Sequence, residues 1–400
     1  MPEPLFTLSS IATDTAVLLM LGGLLALSLM VDVLARRLGL PRVSLLVLTG
    51  VAIATAARVL LEQEVTVLTA AVAEPLVSIA LVMVAFLLGG DLTAERWRLT
   101  GRPVLALSLA IALVSALLVG GGLLALGFLP AIALPLAAMA VATDPAAVHE
   151  VVREAGGGGR VGQVVLGIVA IDDAWGIIAF GVAVSLLELV TGADGWHAVG
   201  RAGWELGGAL LLGLAIGAPA AFLTGRLRPG EPTQVEAVAV ILLIAGLADA
   251  LAVSPLLAGM TAGVAVANLT PHHSRSFSEI EHIEWPFLVF FFVAAGAAAD
   301  PARLGAAAPL TLAYLALRVA GRLLGGWAAL PWLAGPDRRD FATVGLGLLP
   351  QAGVAMGMAL LAAERYPAAA ADLLAVAVAA TIFFEIAGPL LTRRQLGRAA

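Results

Sequence analysis

The chain reads as an all-α polytopic membrane protein built as one domain, and three observations predict it. Hydrophobic residues make up 61% of the 400 residues while charged residues make up only 12%. Mean hydropathy is +1.02. Apolar stretches of helical length recur between short clusters of charged residues, Pro and Gly. A soluble domain carries about a quarter of its residues charged, so half that proportion leaves most of the outer surface facing lipid. Lipid admits only helices and closed barrels, and a helix needs about 20 apolar residues to cross roughly 30 Å of hydrocarbon.

Cutting the chain at those clusters predicts thirteen spans, at residues 15–35, 41–60, 75–91, 103–127, 130–151, 161–190, 202–225, 234–252, 254–270, 284–300, 304–328, 341–363 and 370–392. The arginines test this division. With the N-terminus outside, sixteen of the 22 basic residues fall on the inner side: Arg36, Arg37, Arg42, Arg96, Arg98, Arg102, Arg153, Arg160, Arg226, Arg228, Arg275, Arg338, Arg339, Arg393, Arg394 and Arg398. Only Arg58, Arg201, Arg303 and Arg365 fall outside, and Arg318 and Arg322 lie within a span. Basic residues concentrate on the cytoplasmic side, so the chain is expected in the cell's inner (plasma) membrane with its N-terminus out and C-terminus in. The first residues, MPEPLFTLSSIATD, carry no basic n-region, so no cleaved signal peptide is expected.

Thirteen spans divide as six, one and six, so the halves at about 15–190 and 234–392 enter from opposite sides. That is the plan of inverted repeats. The fifth span of the chain and its counterpart, the twelfth, each carry an interior proline, Pro145 in AVATDPAAV and Pro350 in GLGLLPQAGVA. Interrupted helices at matching places point to an ion site near the midplane.

Several chemistries are excluded. A net charge of −6 gives no footing for nucleic acid. No cysteine is present, and every basic residue is Arg, so thiol chemistry, phosphate-loop lysines and Schiff bases are out. The reading is of a protein that is not an enzyme and needs no cofactor.

Charges inside spans cost about 2.5–3.5 kcal/mol each on insertion scales, so each needs a reason. Asp172 and Asp173 stand mid-span in GIVAIDDAWGII. Neighbours on a helix point about 100° apart, so the two carboxylates face different surroundings and repel one another. A carboxylate placed there takes a proton or a cation. Asp144 precedes Pro145, which has no N–H and biases its predecessor away from helical angles. The helix should unwind there, with Thr143 and Asp144 capping the half-helix that follows. Thr143 also offers a hydroxyl and a freed carbonyl to a hard cation. Arg318 lies mid-span, with Arg322 one turn on and on the same face. Asp172 or Asp173 is the expected partner of Arg318, and Glu385 of Arg322.

Other patterns are weaker. Gly157–Gly162 (GGGRVG) fits a dinucleotide fingerprint but follows a membrane helix, so a pliant connection is expected. LGGDL around Asp91 resembles an intramembrane aspartyl protease segment, but its Tyr-Asp partner is missing; the only tyrosines are Tyr314 and Tyr366. His272, His273 and His282 lie with Glu279, Glu281 and Glu284 in one inner connection. A solvated loop is the default there, and a pH-sensing cluster the alternative.

The segments FLLGGDLTAERWR, ATDPAAV, AIDDAWGI, SPLLAGMTAGVAVAN, FLVFFFVAAGAAAD, RVAGRLLGGW, LLPQAGVAMGMA and FEIAGPLL, in this order, resemble the monovalent cation:proton antiporter superfamily, the sodium/proton exchanger-like transporters. The resemblance implies crossed broken helices, a mobile core at about 75–190 and 284–392, and a homodimer in the lipid. It implies exchange of Na+, Li+ or K+ for H+ by alternating access. Asp173 matches the essential ion-binding acid, Asp172 the first acid of a paired-Asp branch, and Arg318 the buried base. Thr143 and Asp144 match the unwound helix, and Pro350 with Gln351 its inverted mate. The pattern is mixed, because paired aspartates usually accompany lysine and arginine usually accompanies Asn-Asp. A potassium efflux transporter of the same superfamily and a passive cation channel are the rival readings. Potassium efflux systems often carry a cytoplasmic nucleotide-binding domain; the chain ends six residues after Arg394, so such control would need a separate subunit.

Overall fold

The computed structural model describes residues 13–38, 40–61, 70–157, 159–190, 195–224, 233–270, 274–333 and 338–399. The described residues are almost entirely helical and contain no strand. The first half runs through α1 (Thr13–Leu38), α2 (Arg42–Leu61), α3 (Ala70–Asp91), α4 (Ala94–Ala125), α5 (Pro130–Met139), α6 (Pro145–Glu154) and α7 (Gly159–Val190). Then come α8 (Gly195–Thr224), α9 (Thr233–Ala250), α10 (Pro255–Leu269) and α11 (Ser274–Ala298). The chain closes through α12 (Pro301–Ala306), α13 (Ala308–Ala328), α14 (Arg338–Phe341), a 3-10 turn at Val344–Leu348, α15 (Gly353–Arg365) and α16 (Pro367–Ala399). Seven of the described helices are long and apolar enough to cross a membrane, and three shorter ones are apolar.

Each predicted segment overlaps one helix or one interrupted helix, although α11 begins ten residues before the segment at 284–300 and α12 ends inside the segment at 304–328. The two interruptions fall where the prolines placed them. Segment 130–151 is α5, a non-helical stretch through Asp144, and α6; segment 341–363 is the 3-10 turn, a break at Leu349–Ala352, and α15. The GGGRVG stretch begins in a turn, with Gly156, Gly157 and Gly159 at φ of 69°, 89° and 57°. Those left-handed values suit glycine.

Packing sorts the helices into two groups. In the first, α10 lies tightly between α3 and α8, and α11 packs on α2 and α3. In the second, α4 pairs with α13, and α5, α7, α15 and α16 close around the interruptions. Helices α3 and α11 pack chiefly within the first group, where their glycines meet backbone. A Cβ on Gly50 of α2 would collide with the Val293 carbonyl of α11, and one on Gly296 of α11 with the Val47 carbonyl. Likewise Gly89 of α3 faces the Met260 carbonyl of α10, and Gly263 of α10 faces the Phe86 carbonyl. Each glycine meets the carbonyl three residues before its partner glycine, so the two pairs share one register. Small residues at such crossings let backbones approach closely, and close approach supplies the packing that drives association in lipid. In the second group Gly321 and Gly325 of α13 meet the Cα atoms of Ser115 and Ile111.

Candidate ion site at the helix crossing

The two interruptions touch. The N–H of Asp144 donates to the Pro350 carbonyl at 2.9 Å, a main-chain hydrogen bond between the broken helices. Asp144 caps α6 through its side chain, which accepts from the Ala147 N–H at 3.1 Å. Thr143 does not share that capping. Its buried hydroxyl donates to Asp172 Oδ2, with the Leu348 carbonyl 3.2 Å away.

Tyr314, Arg318 and Arg322 form one stripe on α13, four residues apart, and all three are fully buried. They address the crossing in turn. Tyr314 bonds the Gln351 side chain, whose Nε2 donates to the Met139 carbonyl at 2.6 Å. Arg318 donates to the carbonyls of Leu349 at 2.7 Å, Ala142 at 2.9 Å and Ala140 at 3.3 Å. Its guanidinium also lies 4.3 Å from the Phe384 ring centre. Arg322 donates to Asp172 Oδ2 at 2.7 Å, to Thr143 Oγ1 at 3.0 Å, and to the carbonyls of Val141 and Ala142.

The expected pairing is therefore corrected. Arg318 ion-pairs with neither aspartate; it serves the carbonyl ends of α5 and of the 3-10 turn, where a cation suits the negative end of a helix. Arg322, not Arg318, holds Asp172. Glu385 does not partner Arg322. Its carboxyl lies beside the Gln351 main chain at the start of α15, with Asp144 its charged neighbour. The two half-helix starts thus have acids beside them and the two ends have arginine.

The consecutive acids of α7 differ sharply. Asp172 is wholly buried and held through Oδ2, while its Oδ1 has no partner among the described residues. Asp173 is 2% exposed, and neither of its oxygens has a hydrogen-bond partner among the described residues. Asp172, Asp144 and Arg322 are its charged neighbours. An unpartnered buried carboxylate is expensive and calls for an explanation.

Pro145, Pro350, Gln351, Thr143, Asp144, Asp172, Asp173, Arg318, Arg322 and Glu385 are all placed at or beside the crossing. Tyr314 was missed as a site residue, although its four-residue spacing from Arg318 could have revealed it. His282 is exposed and far from this chemistry in sequence, bonded within its own helix to Ser278. His272 and His273 lie outside the described residues.

The family model described as "Sodium/hydrogen exchanger, transmembrane" matches residues 23–393. A solved structure of the sodium proton antiporter MjNhaP1 from Methanocaldococcus jannaschii at pH 8 superposes with TM-score 0.76 at 18% identity, covering 94% of this chain and 98% of that one. An electron-microscopy structure of the same archaeal antiporter gives TM-score 0.71 at 17% identity, covering 97% of both chains. No curated protein matches the chain in sequence.

Proposed function

Because the chain belongs to the transmembrane sodium/hydrogen exchanger family, we propose that it is a secondary antiporter exchanging Na+ for H+ at Asp173. The observation that carries this reading is the pair of unpartnered oxygens on a buried carboxylate beside two interrupted helices. A proton or a desolvated monovalent cation stabilises such a group, and only one can occupy it at a time. Competition of this kind couples the two fluxes with no covalent step. Asp173 supplies two oxygens to the cation and Asp172 Oδ1 a third. Thr143 acts as a positioning residue, since its hydroxyl is engaged by Arg322 and Asp172.

The Arg322–Asp172 pair bears on stoichiometry. Arginine does not release its proton in a protein, so Arg322 keeps Asp172 matched with a fixed positive charge. Exchange at Asp173 alone then replaces one cation by one proton, with no net charge moved. Sixteen arginines against four favour the C-terminus inside. The thirteen segments, taken as thirteen crossings, make the matched glycine pairs α2–α11 and α10–α3 equivalent under inverted repetition. Alternating access then moves the second helix group against the first, within a homodimer.

Proteoliposomes given an inward Na+, Li+ or K+ gradient test the reading through an internal pH dye. Internal alkalinisation with Na+, unaffected by clamping the membrane potential to zero, is expected. A response to K+ alone would favour an efflux transporter, and cation current without proton movement a channel.

A further inference from the structure

At the end of α15 remote from the crossing, Arg365 bridges two acids. One guanidinium nitrogen donates to Glu188 Oε1 on α7, and Nη1 lies 3.2 Å from Glu205 Oε2 on α8. Helices α7 and α15 belong to the second group, whereas α8 packs chiefly with α10 of the first and touches α7 about as much as α9. One half of the bridge thus stays within a group and the other half crosses between them. A cavity of about 790 Å³ opens at the same place, lined by Ser78 and Leu81 of α3, Phe180, Glu205, Asp249 and Arg365 among others. Phe180 is seven residues beyond Asp173 on α7, about 10 Å of helical rise. The cavity therefore approaches the buried carboxylate from the Arg365 side.

The contacts across this boundary differ from those inside each group. Gly357 of α15 and Gly181 of α7 face only the side-chain tips of Leu81 and Leu206. Within the groups, Gly50, Gly89, Gly263 and Gly296 meet backbone carbonyls, although Gly90 and Gly122 meet the side chains of Phe277 and Leu317. Flexible tips let surfaces slide, while interlocked backbones do not.

We propose that the Arg365–Glu205 pair is a releasable strap that favours the present arrangement, with this cavity open, and parts whenever the second group moves. The inference rests on the alternating access proposed above. Its strength suits the task. The side chains of Arg365 and Glu205 are 38% and 20% exposed, so water screens their attraction and the pair is weak enough to break every cycle. Arg365 stays in place when the strap parts, because Glu188 still holds it and the last turn of a helix favours a cation.

The chain has no cysteine, so introduced thiols report cleanly. Spin labels at Ser78→Cys on α3 and Ser185→Cys on α7 give the distance between the groups in reconstituted protein. Glu205→Gln is expected to lower the ratio of the cavity-open to the cavity-closed population about two- to five-fold, the size of a partly screened ion pair. A bifunctional thiol reagent joining Glu205→Cys to Arg365→Cys is expected to arrest exchange, with reductive release restoring it. An unchanged population ratio in Glu205→Gln, or full exchange by the cross-linked protein, would overturn the strap. The distance measurement needs no ion gradient, so it stands whatever the protein carries. A chain with native residues that fails to exchange any cation would count against the antiport reading instead.

Discussion

Asp172 and Asp173 are consecutive residues of one helix, yet they occupy opposite chemical situations. Asp172 is gripped by Arg322 and Thr143 through one oxygen, while neither oxygen of Asp173 has a hydrogen-bond partner among the described residues, the Thr143 main chain lying beside it. The 100° step of the α-helix turns one acid toward the arginine stripe of α13 and leaves the other beside it. The difference teaches that two adjacent acids can take different parts: under the proposed antiport, one carboxylate holds the crossing together and the other exchanges its occupant.

Breaking the comparison on the Asp173 side should have the largest effect. Asp173→Asn is expected to lower exchange more than a hundredfold while the detergent melting temperature holds or rises, since an amide neither titrates nor carries charge. Wild-type alkalinisation in this variant's liposomes would contradict the assignment. On the Asp172 side, Arg322→Ala strands a buried carboxylate and leaves carbonyls unbonded, and loss of one partner of a buried pair costs about 3–5 kcal/mol. Denaturation in mixed micelles checks this through a lower midpoint. Arg318→Ala should cost less, about 1–3 kcal/mol, because it frees carbonyls but strands no charge. Equal losses in the two arginine variants would mean that the Asp172 pair is no special anchor. Asp172→Asn should reduce the exchange rate less than Asp173→Asn, by a few-fold, because the amide oxygen still accepts from Arg322 while an NH2 replaces the oxygen offered to the cation. Complete loss would give Asp172 an equal share in binding.

The positions of the interruptions were legible because proline acts locally. Pro145 and Pro350 each remove a donor and a break lies beside each, although Leu349 before Pro350 keeps helical angles and the chain departs from them at Ala352. The buried charges were legible because lipid makes them rare. Arginine pairing was not. The four-residue spacing put Arg318 and Arg322 on one face, but which of them meets an aspartate depends on the relative depth of α13 and α7. Arg318 binds backbone carbonyls, which every residue carries, so no side-chain motif marks its partners. The division into groups was equally hidden, since Gly50, Gly89, Gly263 and Gly296 acquire meaning only when the opposing backbone is known.

The central claim is that protons and cations compete for Asp173, and it is tested most directly by measuring apparent KM and maximal rate for Na+ in proteoliposomes from about pH 6.5 to 9, a span on both sides of neutrality. Protonated Asp173 cannot take a cation, so the account predicts that apparent KM rises as pH falls, up to about tenfold per unit by mass action, with the maximal rate unchanged at saturating Na+. A maximal rate that falls with pH while KM stays constant would contradict it, placing the control on a separate proton sensor.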